Sequence, residues 1–444
     1  MSRPEATIEE ILGLLPDLEE LEVLRLRLVA AAVRDPGKEW DSSSAYTTID
    51  KRIVTPEVVE RAVDEAERAL HEFVTLLHAG LRPLLQSFFA GDHDQAARHL
   101  VSLGESLEAS GRLMGARQCY RAALTISLPL VEKGAQILAL RRIGRVAVSV
   151  GDFQEAVAYY ERSADLARDS GDVHGEVVGR IGIGNVRMWQ GRWNEAESCY
   201  HEALSLTEAA ATGLTLERGQ IYNNLGNLTT RQQRLEESEG WFESAFRVWD
   251  SLDSPVDLAI CHHNHAHLRE AQERWDEARR GYETALKMSI PKVLRATIAT
   301  DLAEWWLHEG HVTQADEWGR LAEEQAIAAG SPYTIGYMYQ GRGNIARVLG
   351  DADGFTFFEK ALEIAREKGY PFLEAETLLD YAALRAQNDG GEEAAAYLER
   401  AREIFRELGA AGEVERVNRA LAALRAEADE LEPEGEAPLA AAGD

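Results

Sequence analysis

The sequence predicts an all-α, right-handed α-solenoid of about eight helix–turn–helix units with helical caps. Three observations predict this fold: small residues recur at a near-constant spacing, each is followed by a turn and a second helical pattern, and proline is rare. With 12 prolines in 444 residues, long helices can run without interruption, because a proline inside a helix costs about 3 kcal/mol.

Eight glycine or alanine residues, which we call the ruler residues, mark the repeat. They are Gly104, Gly144, Gly184, Gly226, Ala266, Ala303, Gly343 and Ala382. The steps between them are 40, 40, 42, 40, 37, 40 and 39 residues. A regular period of this size is the sequence signature of a repeat protein, in which each unit buries its apolar face against its neighbours.

A second motif follows each ruler residue: a small residue, then an aromatic residue four positions later, then another small residue three positions after that. The clear examples are Ala116, Tyr120 and Ala123; Ala156, Tyr160 and Ser163; Ala196, Tyr200 and Ala203; Ser238, Phe242 and Ala245; Ala278, Tyr282 and Ala285. The looser, later examples are Ala315, Gly319 and Ala322; Gly354, Phe358 and Ala361; Ala394, Leu398 and Ala401. Small residues allow two helices to cross closely, and the aromatic ring fills the space beside the crossing.

This pattern resembles the tetratricopeptide repeat family, and the match covers roughly residues 97 to 408. The family's minimal unit has 34 residues. The 40-residue step looks like the longer-helix variants found in kinesin light chain and in bacterial peptide-sensing regulators. HEAT and armadillo arrays have a similar period, but the register of small and aromatic residues argues against them.

The elements follow in order along the chain. Residues 1–92 are expected to form an N-terminal helical cap or docking region, with a dimerisation element as the functional alternative. Residues 93–410 form the solenoid, residues 411–428 form a C-terminal capping helix, and residues 429–444 form a disordered acidic tail.

The net charge of −29 disfavours nucleic acid as a partner, because a phosphate backbone is bound by basic patches. The N-terminus lacks a basic segment followed by an apolar run, and no stretch approaches the apolar length of a membrane span. We therefore expect a cytoplasmic protein whose partner is another protein or a peptide segment, with no membrane association. Oligomers through the N-terminal helices are an open expectation.

The resemblance implies that the first helix of each unit lines a concave groove in which a partner binds. Placing the family's motif on the ruler residues gives the expected groove set. It consists of Arg141, Arg145, Asn185, Met188, Trp189, Asn223, Asn227, Arg231, His263, His267, Glu270, Thr300, Glu304, Gln340, Asn344 and Arg347.

Asparagine and arginine recur in this set. An amide donates and accepts hydrogen bonds, so a series of asparagines can clamp a peptide backbone. Arginine in a groove pairs with carboxylate or phosphate groups. The alternatives are hydrogen bonding between helices for the asparagines and solvated helix faces for the arginines.

Catalytic motifs are not found. The sequence has no HExxH, no G-x-S-x-G and no Walker A motif, so we expect neither a catalytic residue nor a cofactor. His263, His267 and Glu270 share one helix face and are a weak candidate for a metal site, to which Asp301, Glu304 and His308 could add ligands. The competing interpretation is a set of hydrogen-bonding histidines, and we expect no metal.

The sequence thus favours a non-enzymatic scaffold or adaptor that holds a peptide or helix of a partner in its groove. The alternative is a regulatory protein in which a bound peptide or small molecule changes the pitch of the solenoid. A metal protein built on the histidine run is the third hypothesis.

Overall fold

The computed structural model describes residues 80–431 except positions 81–82, 85, 89, 110–111, 211–212, 253, 289 and 389. Residues 1–79 of the predicted N-terminal region and residues 432–444 of the predicted tail lie outside this range, so those predictions stay open. Within the described residues every regular element is helical and no strand occurs, as the repeat pattern predicts.

Seventeen long helices follow one another from His93 to Leu431. They are α1 (His93–Ala109), α2 (Leu113–Ser127), α3 (Gly134–Ser149), α4 (Phe153–Ser170), α5 (Val173–Trp189), α6 (Trp193–Ala209), α7 (Thr215–Arg231), α8 (Leu235–Leu252), α9 (Pro255–Ala271), α10 (Trp275–Leu286), α11 (Lys292–His308), α12 (Val312–Ala329), α13 (Pro332–Leu349), α14 (Asp353–Lys368), α15 (Pro371–Ala386), α16 (Gly391–Leu408) and α17 (Ala411–Leu431).

The chain divides into two compact units at position 146. The described part of the first unit holds α1, α2 and most of α3. The second unit begins at Ala147, near the end of α3, and holds α4 to α17.

In the second unit the helices stack as antiparallel hairpins. Each first helix, which carries a ruler residue, packs on the second helix that follows it: α5 on α6, α7 on α8, α9 on α10, α11 on α12, α13 on α14 and α15 on α16. First helices also pack on the next first helix, as α7 does on α9 and α11 on α13. This is the α-solenoid arrangement that the sequence predicts, although the number of units in the whole chain stays a prediction.

The ruler glycines are small because an aromatic ring lies directly against them. A Cβ atom on Gly184 would stand 2.6 Å from a ring carbon of Tyr200, and one on Gly226 would stand 2.9 Å from the ring of Phe242. Both rings are almost completely buried. A larger residue at either glycine would push the two helices apart, which confirms the packing role assigned to the ruler.

The repeat formed by α11 and α12 lacks the aromatic residue of the motif at its helix crossing. At the aromatic position of α12 stands Gly319, and the Cδ1 atom of Ile345 from α13 lies 2.7 Å from where its Cβ would be. The flanking Ala315 and Ala322 remain fully buried. The repeat therefore keeps its close crossing by taking the filling side chain from the next helix.

The turns between paired helices use a left-handed residue. Gly151, Gly191 and Gly310 have φ values of +81°, +71° and +77°, where an L side chain is disfavoured. Gln233 and Glu273 occupy the same turn with φ values of 61° and 60°. These two repeats keep the turn geometry without glycine and carry a local backbone cost.

The second unit closes on itself, because its last helices pack against its first ones. Phe153 lies 5.4 Å from Tyr370, and Trp193 lies 5.8 Å from Phe372, measured between ring centroids. One continuous core contains buried residues of α5 to α7 together with buried residues of α14 to α17. In a simple solenoid each repeat contacts only its neighbours, so this long-range packing is a feature that the repeat pattern does not predict.

Candidate functional site

The first helices of the second unit are joined side by side by polar side chains, which we call the polar ladder. Its first rungs are amide pairs: Asn224 of α7 donates to the Oδ1 atom of Asn185 at 2.8 Å, and Asn264 of α9 donates to Asn223 at 3.2 Å. Each rung connects residues about one repeat apart in sequence. The ladder therefore follows from the repeat, which places equivalent positions of successive first helices next to each other.

The next rungs carry a carboxylate. His263 Nε2 lies 2.7 Å from Asp301 Oδ2 on α11, and the Tyr337 hydroxyl of α13 donates to Asp301 Oδ1 at 2.6 Å. Gln340 and Asn344 of α13 both donate to Asp380 Oδ2 of α15, at 2.8 and 2.9 Å. The ladder thus runs from α5 to α15 through the described residues.

Four ladder residues share one register position that the sequence analysis did not single out. They stand two residues before a ruler residue: Asn224, Asn264, Asp301 and Asp380. In the first helices they face the preceding first helix, where they meet a residue of the expected groove set. A polar residue at this spacing was the signal in the sequence from which the rungs could have been predicted.

The expected groove residues of α5 and α7 contact the chain's own last helices. The Trp189 ring lies 4.4 Å from the Tyr333 ring, and the Arg231 guanidinium lies 4.4 Å above the ring of Phe372. Asn227 Oδ1 accepts a weak hydrogen bond of 3.4 Å from Arg231. In this structure α13 and α15 therefore cover the surface that was expected to receive a partner at this end.

The expected asparagines bond inside the protein. Besides the rung to Asn224, Asn185 Oδ1 accepts a hydrogen bond of 2.8 Å from the Tyr200 hydroxyl. These contacts fit the interpretation in which the asparagines tie helices together.

The arginines of the expected groove are divided between the two units. Arg145 belongs to the first unit, where it forms an ion pair of 2.7 Å with Glu108, and Arg141 lies half-buried on the same helix, α3. Arg231 and Arg347 belong to the second unit and stand on α7 and α13. The positive charge that was expected to attract a carboxylate is thus divided and partly neutralised.

Five interacting carboxyl groups lie on the first helices α9, α11 and α15 of the second unit. They are Glu270 of α9, Asp301 and Glu304 of α11, and Glu376 and Asp380 of α15. Burial, with repulsion from Asp380 and Asp301, raises the pKa of the Glu304 carboxyl well above its ordinary value. Burial and the nearby Glu413 raise the pKa of Glu376 to about 8, against the opposing charges of Arg231 and Arg416.

These two raised pKa values have one physical meaning. A raised carboxyl pKa means that the fold favours the protonated, uncharged form over the ionised one. A cation brought to Glu304 or Glu376 would favour the ionised form of that carboxyl group and would be stabilised by it. Perturbed carboxyl groups of this kind cluster at functional sites more often than elsewhere.

His263 and His267 of the predicted metal candidate lie beside Asp301, and Glu270 lies on the opposite side of the His267 ring. His267 Nε2 is 3.2 Å from His263 Nε2 and 3.8 Å from Asp301 Oδ2. Glu270 Oε2 is 3.1 Å from the opposite ring nitrogen of His267. His263, His267 and Asp301 thus present three metal-ligating atoms within 4.8 Å of one another, the one such group in the described residues.

The electrostatics of this cluster are strongly coupled. Burial lowers the pKa of His267, but the Asp301 and Glu270 carboxylates outweigh burial and hold it above its ordinary value. Burial raises the pKa of Asp301, but the charge of His267 and the hydrogen bond from His263 outweigh it and hold that pKa low. Glu304 and His308, the other residues considered as added ligands, are not part of this group, and the His308 ring stacks on Trp275 with 4.1 Å between ring centroids.

None of the described helices combines the length and the apolar character that a bilayer span requires.

Comparisons with known proteins agree with the repeat architecture. The tetratricopeptide repeat model matches residues 95–169, 179–251 and 217–290. The photosystem I assembly protein Ycf3 of Synechococcus sp. (strain CC9311) is 30% identical over 122 residues, which is 28% of this chain and 68% of that protein. Ycf3 of Prochlorococcus marinus (strain NATL1A) matches with the same identity and coverage.

A solved structure also has a fold similar to that of this chain. The crystal structure of a Rap protein complexed with competence and sporulation factor superposes with a TM-score of 0.53 at 15% sequence identity, covering 75% of this chain and 98% of that one. At this identity the likeness concerns the fold alone. With the ruler, the paired helices and these matches, the chain belongs to the tetratricopeptide repeat family.

Proposed function

We propose that this chain is a non-enzymatic binding protein that holds a basic peptide segment of a partner against the polar ladder of its second unit. The observation that carries the proposal is the gathering of carboxyl groups from the first helices α9, α11 and α15, where burial and neighbouring carboxylates raise the pKa of Glu304 and Glu376. A lysine or arginine side chain would form charge-assisted hydrogen bonds with them, which are about twice as strong as neutral ones.

The carboxyl groups along the polar ladder favour a basic ligand, whereas the sequence predicts an acidic one. From the sequence, the groove arginines favoured a carboxylate or phosphate ligand. In the second unit Arg231 already lies over Phe372, and the surrounding carboxylates outnumber the cations. A basic partner also fits the net charge of −29, because long-range attraction speeds the encounter of opposite charges.

A direct test compares two extended peptides of equal length, one alternating lysine and alanine, the other alternating glutamate and alanine. Fluorescence anisotropy should detect binding of the lysine peptide and little binding of the glutamate peptide at low salt. The double variant Glu304→Gln and Glu376→Gln should weaken lysine-peptide binding about tenfold, or about 1.4 kcal/mol, for each carboxyl group that can no longer ionise against a lysine.

The matched control is Glu243→Gln, which removes the same charge from an exposed position on the second helix α8. This control should bind as the natural chain does. Equal binding of both peptides, or a loss of binding in the control as large as in the double variant, would contradict the proposal.

A second candidate function is that of a ligand-responsive regulator. It is favoured by the packing of Trp189 on Tyr333, which places the chain's own helix over part of the expected groove. A ligand that displaces this contact would open the second unit, and the Rap protein with a similar fold is itself complexed with a factor. Small-angle scattering that stays unchanged when the lysine peptide is bound would argue for the adaptor over the regulator.

A further inference from the structure

The histidine cluster of the second unit consists of His263, His267 and Asp301, which two adjacent helices position. His263 and His267 stand one turn apart on α9, so their rings project from the same helix face. Asp301 comes from the adjacent first helix α11. His263 and Asp301 are buried, and the side chain of His267 is 34% exposed, which leaves one open side.

The distances between the three ligating atoms suit one metal ion. They are 2.7 Å from His263 Nε2 to Asp301 Oδ2, 3.2 Å between the two Nε2 atoms, and 3.8 Å from His267 Nε2 to Asp301 Oδ2. A tetrahedral zinc ion with nitrogen and oxygen ligands at about 2.0–2.1 Å would hold its ligand atoms about 3.3 Å apart. The observed separations lie on both sides of that value, so small side-chain rotations would equalise them.

The residues behind the three ligating atoms are those that support metal ligands in proteins. Glu270 Oε2 and the Tyr282 hydroxyl both lie 3.1 Å from His267 Nδ1, the nitrogen that faces away from the cluster. The Tyr337 hydroxyl donates to Asp301 Oδ1, the oxygen not directed at the histidines. A carboxylate on the outer nitrogen fixes the ring and raises its basicity, which strengthens the bond of the inner nitrogen to a metal.

We propose that His263, His267 and Asp301 bind one divalent transition-metal ion of the zinc class, with Glu270 and Tyr337 as positioning residues. Two imidazoles and one carboxylate leave a fourth position, which water or a ligand oxygen would fill. The negative charge of Glu270 and Asp301 stabilises a dication at this place, and the partly exposed His267 gives it an entry path. The metal ligands are not the carboxyl groups Glu304 and Glu376 of the basic-peptide proposal, so the two proposals are tested by different variants.

Isothermal titration calorimetry with zinc chloride, on untagged full-length protein stripped with a chelator, tests the site. We expect one zinc ion per chain. His263→Gln and Asp301→Asn should abolish stoichiometric binding, and Asp301→Asn keeps an oxygen to accept from Tyr337. Glu270→Gln should weaken binding about tenfold or more, because it removes the support of His267 without removing a ligand.

The matched control is His262→Gln on the same helix, whose ring packs against Phe246 outside the cluster. It should bind zinc as the natural chain does. Cobalt(II) gives a second readout, since a tetrahedral site yields intense visible absorption and hydrated cobalt does not. Circular dichroism checks that each variant is folded. Absence of both zinc binding and cobalt absorption in the natural chain, or equal losses in His262→Gln and His263→Gln, would overturn the proposal.

Discussion

Single residues set the distance between helices in this protein. At Gly184 there is no room for a methyl group, because the Tyr200 ring lies within 2.6 Å of the place where a Cβ would stand. A Cβ atom on Gly240 of α8 would have no neighbouring atom within 4 Å. The two glycines therefore have opposite roles, although both lie inside helices.

This contrast predicts opposite effects of one substitution. Gly184→Ala should lower the free energy of unfolding by about 1–2 kcal/mol, because overpacking outweighs the gain in helix propensity. Gly240→Ala should raise it by about 0.5–1 kcal/mol. Urea denaturation followed by circular dichroism measures both. A neutral Gly184→Ala variant would mean that the ruler position is not a close crossing.

Glu376 predicts a pH-dependent stability. Its folded pKa of about 8 exceeds the ordinary value of 4.5, so the native state holds the proton more tightly than the unfolded chain. The stability that the protonated group contributes is complete below pH 4.5 and is lost as the pH rises to about 8. The charged or titratable groups that face Glu376 are Glu413 and Arg416 of α17, Arg231 of α7, Asp380 of α15, Glu304 of α11, and Tyr333 and Tyr337 of α13.

Glutamine imitates the neutral carboxyl group at every pH. Glu376→Gln should therefore match the natural chain in thermal midpoint at about pH 4 and exceed it by several degrees at about pH 9. Differential scanning calorimetry at the two pH values measures the difference. A variant that is equally stable relative to the natural chain at both values would show that Glu376 ionises normally in the fold.

Elements in this protein begin and end where local sequence dictates. The turn residue between a first and a second helix is left-handed, whether it is Gly310 or Glu273. The side chain of Glu273 is exposed, and Gly310 has open space around it, so the two turns differ in the backbone strain of the turn residue and not in side-chain packing.

The two turns allow a reciprocal exchange. Glu273→Gly should stabilise the protein by about 0.5–1 kcal/mol, because relief of left-handed strain exceeds the added entropy of the unfolded chain. Gly310→Ala should destabilise it by about 1 kcal/mol. Chemical denaturation of both variants beside the natural chain tests this, and a change of the same sign in both would refute the backbone explanation.

The positions of the helices and of their packing residues could largely be predicted from the sequence, because they depend on local, periodic patterns. The ruler residues and the aromatic positions such as Tyr200 and Phe242 are buried where the repeat places them. The rungs of the polar ladder could be predicted in part: Asn185, Asn223 and His263 belong to the expected groove set, and Asp301 is the one partner expected near the histidines, as a possible metal ligand.

At the scale of the second unit, the sequence gives little warning of its most consequential feature. The contact of Trp189 with Tyr333 joins residues 144 positions apart. It depends on a small rotation per repeat that accumulates along the stack. No local motif records that rotation, so neither the covered groove of α5 and α7 nor the gathering of carboxylates from α9, α11 and α15 could be read from periodicity.

We propose that a basic segment binds the polar ladder and not the outer surface of the second helices. Hydrogen–deuterium exchange with and without saturating lysine–alanine peptide distinguishes these two faces. We predict slower exchange in the first helices α9, α11 and α15, which carry Glu270, Glu304 and Glu376. Protection confined to the second helices α8, α10 and α12, or no protection at saturation, would contradict the claim.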